Sequence, residues 1–549
     1  MKKVRYIFVL TIIAVLNVFG ANNTDGGKVK LVVQIVVDQL RGDIINKFRN
    51  NLSPDGFLRL ESNGLNFTNA NFIHSVTKTA PGHATIATGS IPAFHGIIGN
   101  DWYDEKSAKQ VYACEDKNSK VFGEDKGLSP KNLVVSTISD EIHLATEGKS
   151  KIFGVSIKDR GAIFLAGHSG KAFWFSKRNK GFTSSKYYFD KLPQYVYNFN
   201  NSNLLDKYYQ KNWNLLLPKE KYVYQNNDRN NYEHTEGKLG KTFPHDFKNI
   251  GKDEFGYVLA FTPYGDELTY EFSKEVIKQN DLGKDEIIDY FSISFSSTDY
   301  IGHRFSPNSL EYEDQIYRLD RTIAKFLNFL DSEIGLKNIL LIFTADHGVA
   351  ESPEFLEMQR QPTGVLSTIN YVKECNEFAR KNYNIGYDVV KDLIPPYIYL
   401  NEIELIKSGL DICKVEADLR KLLLKDKGIY EVLTECLIEK NEINRNIIDQ
   451  KTANSFYPGR SGNLYIINMP GWYMGYNAEE RENSSTHGSP WNYDTFVPLI
   501  FMGPGIPNGF DASQSGPHDI APTIAEYLGI KKPSGNVGRV LFNVRDNNN

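Results

Sequence analysis

Three carboxylates and three imidazoles are the residues of this sequence best suited to hold metal: Asp38, Asp299, His303, Asp346, His347 and His487. Borderline and hard divalent cations take such ligands. Six are enough for two ions with positions left open, an arrangement suited to in-line displacement at phosphorus. Thr79 stands in Thr77-Lys78-Thr79-Ala80-Pro81-Gly82-His83-Ala84-Thr85, which reads as a tight turn entering a helix. Thr79 would be its N-cap and Pro81 would fall in the first turn. A helix N-terminus favours negative charge, so an alkoxide or a bound phosphate is stabilised there. Lys158 and Arg160, two apart after an apolar run, would put two cations on one side, with Arg able to grip as a fork. Each signal alone has a blander reading, because a single Asp or Asp-His-Gly is ordinarily a turn former or helix cap. It is the set that points to chemistry.

The segments that must position these residues are short apolar runs ending abruptly in polar ones. They are Leu31–Val37 before Asp38, Ile152–Ile157 before Lys158, Tyr290–Phe295 before Asp299, Asn338–Phe343 before Asp346, and Thr495–Phe501. Such runs read as strands buried on both faces, the habit of parallel sheets. Helical patterns lie between them, clearest over Ser309–Leu330 and over His518–Leu528, the latter bounded by Pro517 and Gly529. The fold class expected is therefore α/β, a mostly parallel central sheet with helices on both faces. Ligands bind outside the carboxyl ends of such strands, where the candidate residues would converge. Residues ~164–285 and ~352–480, rich in Tyr, Asn, Lys and Phe, lack the alternation and read as insertions near the site mouth. The run Trp472-Tyr473-Met474-Gly475-Tyr476 within the second reads as packing rather than a ligand platform.

Composition narrows the alternatives. The chain is 41% hydrophobic and 24% charged, with ordinary Gly and Pro usage, so collagen-like and disordered readings are out. A formal charge of −4 gives no general polyanion-binding surface, so no nucleic-acid partner is expected. Lys2, Lys3 and Arg5 precede the apolar run Ile7–Leu16 and small residues at Gly20-Ala21, a signal peptide over 1–20. That run is too short to span a bilayer, which takes ~20 residues. The expected protein is exported, periplasmic or secreted, without stable membrane insertion, as one catalytic domain over 21–549 and a monomer. The four cysteines include no CxxC pair, so a thiolate zinc site is not expected.

Taken together, Asp38, Thr79 within T-x-P-x-H-x-T, Asp299-x-x-x-His303, Asp346-His347-Gly348 and Thr486-His487-Gly488 resemble the motifs of the alkaline phosphatase superfamily. Gly99-Asn100-Asp101-Trp102-Tyr103 and Ser156-Ile157-Lys158-Asp159-Arg160-Gly161 resemble those of its phosphate-irrepressible bacterial members with a threonine nucleophile. The resemblance runs in motif order over nearly the whole mature chain. It implies two Zn²⁺: one held by Asp299, His303 and His487, the other by Asp38, Asp346, His347 and the Thr79 oxygen. It further implies that Thr79 attacks phosphorus to give a phosphothreonine, later hydrolysed. Asn100, Lys158 and Arg160 would bind the oxygens of the transferred group. The substrates expected are small-molecule phosphate monoesters of broad range, releasing inorganic phosphate.

Physical chemistry supports those roles. A threonine hydroxyl needs a metal or base to become a nucleophile, and phosphoryl transfer is catalysed mainly by positioning and charge. The cation pair separates this reading from its chief alternative, a phosphodiesterase or nucleotide pyrophosphatase, whose substrates carry one charge fewer at phosphorus. A non-catalytic binding protein is the further alternative. Sulfatase chemistry is disfavoured, because Thr79 is followed by Ala80-Pro81-Gly82-His83 instead of the C/S-x-P-x-R pattern. The resemblance also implies no third metal: the additional magnesium of the best-known alkaline phosphatases has no clear ligand set here, and Lys158 and Arg160 would take its place.

Overall fold

The computed structural model describes residues 28–226, 228–477, 481 and 483–542; the signal peptide expected at 1–20 lies outside them. Nine strands form the central sheet: β1 (Leu31–Val37), β2 (Leu65–Phe67), β3 (Ile152–Ser156), β4 (Lys171–Ser176), β5 (Gly181–Thr183), β6 (Asp289–Phe295), β7 (Ile339–Ala345), β8 (Leu499–Met502) and β9 (Gly509–Asp511). Their order is β9-β2-β8-β7-β1-β6-β3-β4-β5. From β7 through β4 every pairing is parallel, whereas β8 pairs antiparallel to both β7 and β2, and β5 antiparallel to β4. The expected mostly parallel sheet is present, with antiparallel strands only toward its edges.

β1, β6 and β7 are buried along their whole length, which explains why they read as predominantly apolar runs. Alternate residues nevertheless serve different cores. Leu31, Val33, Ile35 and Val37 face α3 (Pro263–Gln279) and α5 (Leu310–Glu333) through Phe272, Val276, Ile323 and Phe326. Val32 and Val36 face α1 (Thr79–Thr88) and α6 (Ile520–Leu528) through Ile86, Ala87, Ile520 and Ile524. Helices thus cover both faces. The helix over Ser309–Leu330 is α5 with Ser309 at its N-cap, accepting from the Tyr312 N–H.

Three boundaries differ from the sequence reading. β7 runs two residues past Phe343, because Thr344 and Ala345 still pair with β1. Of Thr495–Phe501 only the end is strand; Asn492–Thr495 is a helical turn. The stretch 164–285 is only partly outside the sheet, since β4 and β5 extend its edge and α3 packs on it.

Residues 352–480 carry their own four-stranded sheet (Val390–Ile394, Tyr397–Leu400, Ile429–Thr434 and Leu464–Asn468) and their own core around Leu366, Leu400, Leu419 and Ile466. Cys413 and Cys436 form a disulfide there, with Cα atoms 5.6 Å apart, while Cys114 and Cys375 are buried and free. Tyr397, Tyr399 and Tyr465 of this unit share a core with Ala80 and Ala84 of α1. The insertion therefore packs directly against the helix that carries Thr79.

Candidate active site

Register places the acidic residues. Val37 lies opposite both Phe295 and Ala345, so the chain leaves β1, β6 and β7 at one level. Asp38 and Asp346 then emerge from neighbouring strands about 5 Å apart. Asp299 comes from α4 (Ser297–Phe305), which starts directly after β6, and His303 sits one turn on along the same face. His487 arrives from the loop before β8, with Gly488 at φ 115°, a conformation that favours glycine.

These six side chains converge. The Nε2 of His303 and of His487 lie 3.2 and 3.4 Å from Asp299 Oδ1. His347 Nε2 lies 3.3 Å from Asp38 Oδ1 and 3.5 Å from Asp346 Oδ2. The His347 and His487 rings stack with centroids 3.6 Å apart. Two groups have ligand atoms close enough to share an ion: Asp38, Asp346 and His347, and Asp299, His347 and His487. His347 therefore stands between the two positions.

The donor set fits divalent metal. Nδ1 of His303, His347 and His487 each meets a backbone carbonyl, of Ser485, Gly348 and Thr77, at 2.8, 2.9 and 2.7 Å. A carbonyl only accepts, so Nδ1 carries the proton and Nε2 is turned to the cluster. Asp346 Oδ2 and His347 Nε2 are buried with no hydrogen-bond partner, the sort of orphaned atoms a cation would satisfy. Burial works to raise Asp38, but the Lys158 charge, with help from His347, holds it down at about 2. Asp299 lies well below its ordinary value, since His303 and Lys158 overcome its burial. Burial pushes His487 down to about 3, keeping it neutral. His347 goes the other way: burial is outweighed by Asp346 and Asp38, which raise it to about 9. A cation at this site must displace that proton.

Thr79 is the first residue of α1, with Lys78 at the N-cap, so it sits one position later than the sequence reading placed it. Its side chain caps nothing, which leaves Oγ for other partners. Those partners are the cations: Lys158 Nζ and Arg160 Nη2 each lie 3.4 Å from Thr79 Oγ. Lys158 and Arg160 are not on an extended segment. Lys158 is the N-cap of α2 (Asp159–Ala166) and Arg160 lies in its first turn, because the chain turns into helix directly after Ile157. Both still reach the same oxygen. Lys158 Nζ also lies 2.7 Å from Asp38 Oδ2 and 2.5 Å from Asp299 Oδ2. Arg160 meets Tyr112 Oη at 3.4 Å, and its Nε is buried without a partner. Asn100 Oδ1 accepts the Ala80 N–H at 2.9 Å, which fixes the amide beside Thr79. All ten residues expected at the site are together.

Four further residues shape the site without having been expected there. Gln39, at φ 67°, donates its N–H to Asp346 Oδ1 (3.1 Å) and its side-chain amide to Asp299 Oδ1 (2.9 Å). His83 lies within the Thr79 motif, one turn on in α1, and its Nδ1 is 3.2 Å from Asp346 Oδ2. Buried Asp266 on α3 accepts the N–H groups of Ser296 (2.9 Å) and Ser297 (3.0 Å), fixing the turn into α4. Asp494 Oδ2 accepts the N–H groups of Gly488 (3.0 Å) and Ser489 (2.9 Å), fixing the loop after His487. No local sequence pattern marks the last two, because their partners lie 30 or more residues away or in an irregular loop. Asp266→Ala would strand two buried N–H groups. Metal affinity should then fall on the order of 10–100-fold, measured by competition with a chelator.

Gly82 explains another feature of the motif. A Cβ there would sit 2.1 Å from the Asp346 carbonyl, so α1 can approach the end of β7 only with glycine at this position. Gly82→Ala should cost about 1–3 kcal/mol of stability, read from denaturant unfolding, and should reduce bound metal as Asp346 is displaced.

Comparison with known proteins agrees with this geometry. The family model for type I phosphodiesterase / nucleotide pyrophosphatase matches residues 32–490. Alkaline phosphatase PafA of Elizabethkingia meningoseptica is 36% identical over 548 residues, covering 98% of both chains. Alkaline phosphatase PhoV of Synechococcus elongatus is 36% identical over 519 residues, covering 93% of this chain and 92% of the other. A Myroides odoratus protein named calcium-transporting ATPase is 38% identical over 519 residues, covering 93% and 94%. No helix among the described residues of the present chain is long and apolar enough to cross a membrane. The crystal structure of PafA superposes with a TM-score of 0.88 at 34% identity, covering 94% of this chain and 98% of that one. The site and these relatives together mark the protein as a phosphoric monoester hydrolase, and the chain belongs to the type I phosphodiesterase / nucleotide pyrophosphatase family.

Proposed function

We propose that the protein is an exported alkaline phosphatase that hydrolyses small phosphate monoesters through a covalent phosphothreonine on Thr79, using two Zn²⁺. Asp299, His303 and His487 would hold one ion, and Asp38, Asp346, His347 and Thr79 Oγ the other. Bound there, zinc would supply Lewis-acid charge and lower the pKa of oxygens it touches. The observation that carries the proposal is the placement of Lys158 and Arg160, both 3.4 Å from Thr79 Oγ beside the acidic cluster.

The rest of the chemistry belongs to the chain. Thr79 Oγ gives its proton to solvent water and forms a bond to phosphorus while the ester oxygen leaves with its electron pair and takes up a proton from water. Arg160 holds two of the non-bridging oxygens as a fork, and Lys158 neutralises the charge that gathers on them. Asn100, fixed by the Ala80 N–H, would present its amide nitrogen to a third. Water then cleaves the phosphothreonine, returning the hydroxyl and releasing phosphate. A monoester brings two charges to these two cations and a diester one, so the pair favours the monoester.

The chain would form a single catalytic domain, with the insertion of about 352–480 lining the mouth of the site. It would act as a monomer after loss of residues 1–20. The test is relative kcat/KM on a monoester and a diester with the same leaving group, alongside metal analysis. Monoester preference with about two zinc per chain is expected, and chelation should abolish activity that Zn²⁺ restores better than Mg²⁺ or Ca²⁺. Diester preference would overturn the assignment.

A further inference from the structure

A cavity of about 230 Å³ adjoins the reaction centre and is not accounted for by phosphate binding. One wall is the loop Thr486–Ser489 together with Lys78, the residue before Thr79; the other is supplied by Pro395, Pro396, Trp472 and Met474 of the 352–480 insertion. The cavity and the acidic cluster share the imidazole of His487, whose Nε2 is 3.4 Å from Asp299 Oδ1. An ester whose phosphorus lies at Thr79 Oγ therefore has this space within reach of its alcohol half.

The far wall is built rather than incidental. Trp472 lies against Gly364 and Gly428, where a Cβ would approach its ring to 2.5 and 2.3 Å, so both glycines let the indole sit flat on backbone. The aromatic run that reads in sequence as packing is thus split: Tyr473 is buried, while half-buried Trp472 and Met474 face the cavity. On the near wall Lys78 hydrogen-bonds only the carbonyl of Pro395, and among the described residues no carboxylate lies within 4 Å of its ammonium. Asp494 also borders the space, but its Oδ2 is taken by the N–H groups of Gly488 and Ser489 and by the Ser489 hydroxyl. Lys78 therefore has no ion-pair partner within 4 Å, although Asp101 acts on it at longer range, and it stands at the edge of a pocket lined by both apolar and polar side chains.

We propose that this cavity receives the leaving group, and that Lys78 makes it select leaving groups carrying an anion of their own, such as a carboxylate or a second phosphate. The inference rests on the phosphomonoesterase reading and names the substrate class within it. It is tested with phenyl phosphate and 4-carboxyphenyl phosphate on the wild type and on Lys78→Met, which keeps the length of the side chain and removes its charge. The ratio of kcat/KM for the carboxylated over the plain ester should fall about tenfold in the variant, the scale of one charge-assisted hydrogen bond. A ratio that does not change, including an equal fall for both esters, would overturn the role of Lys78. Met474→Trp, which narrows the cavity from the opposite wall, should lower kcat/KM for phenyl phosphate more than for methyl phosphate. Equal effects on both would show that the leaving group does not enter. Failure of the phosphomonoesterase reading would look different, as turnover of neither ester by the wild type, and would take the subsite with it.

Discussion

Thr79→Ala is expected to lower phosphomonoester turnover by at least on the order of 10³-fold while leaving most of the bound metal in place. The magnitude follows from what the hydroxyl does: with it gone, no side chain can form the bond to phosphorus, and water must attack from solution. The metal should persist because the carboxylates and imidazoles are held from elsewhere. Asp38 and Asp346 are fixed by β-strand register, and His303, His347 and His487 by their Nδ1 contacts with carbonyls. Thr79→Ser should keep much of the activity, because the hydroxyl oxygen survives. Rapid quench with a labelled ester, followed by denaturation, reads the intermediate directly. Label retained on the wild-type chain and absent from Thr79→Ala is the expected outcome. Full activity in the alanine variant would sink the covalent route.

The second large effect concerns the cation pair. Lys158→Ala and Arg160→Ala should each reduce monoester hydrolysis by about 10²–10³-fold, the usual cost of removing one donor aimed at transition-state charge. Diester hydrolysis should fall less, since it brings one negative charge fewer to the pair. Lys158 has a second task that Arg160 lacks, because its ammonium also lies between Asp38 and Asp299. Removing it leaves two buried carboxylates facing each other, so Lys158→Ala should also alter metal affinity. Arg160 forms no ion pair among the described residues, and its alanine variant should change kinetics with metal content intact. Equal losses on monoester and diester in both variants would show that the pair does not set the preference.

Much of the site was legible because its residues sit where local rules place them. A parallel strand buried on both faces is an uninterrupted apolar run, so its end is visible, and the residue after it marks the ligand-binding edge of the sheet. Asp38 follows β1 in this way. The four-residue spacing of Asp299 and His303 is one helical turn, which makes their shared face readable before any coordinates. Other features failed for equally local reasons. Thr is a common capping residue, which points to an N-cap at Thr79, yet its hydroxyl meets the cations and Lys78 takes that position without capping through its side chain. The two-residue spacing of Lys158 and Arg160 after an apolar run suggests that both lie on one side, but helix begins at Asp159. They converge through long flexible side chains rather than through backbone period.

By itself the sequence determined the order of the strand ends, the identities of the six acidic and imidazole residues, and the hydroxyl and cations near them. These are properties of residue type and short spacing, and they survive whatever the chain does at long range. Folding in three dimensions decided everything that depends on pairing across hundreds of residues. It made His347 the imidazole common to both ligand groups and set Asp266 and Asp494 as clamps on backbone N–H groups. It also brought an insertion up against the helix that carries Thr79 to close a cavity beside His487. The reason is that a contact energy depends on distance and burial, and a linear pattern carries neither once the partners come from different elements.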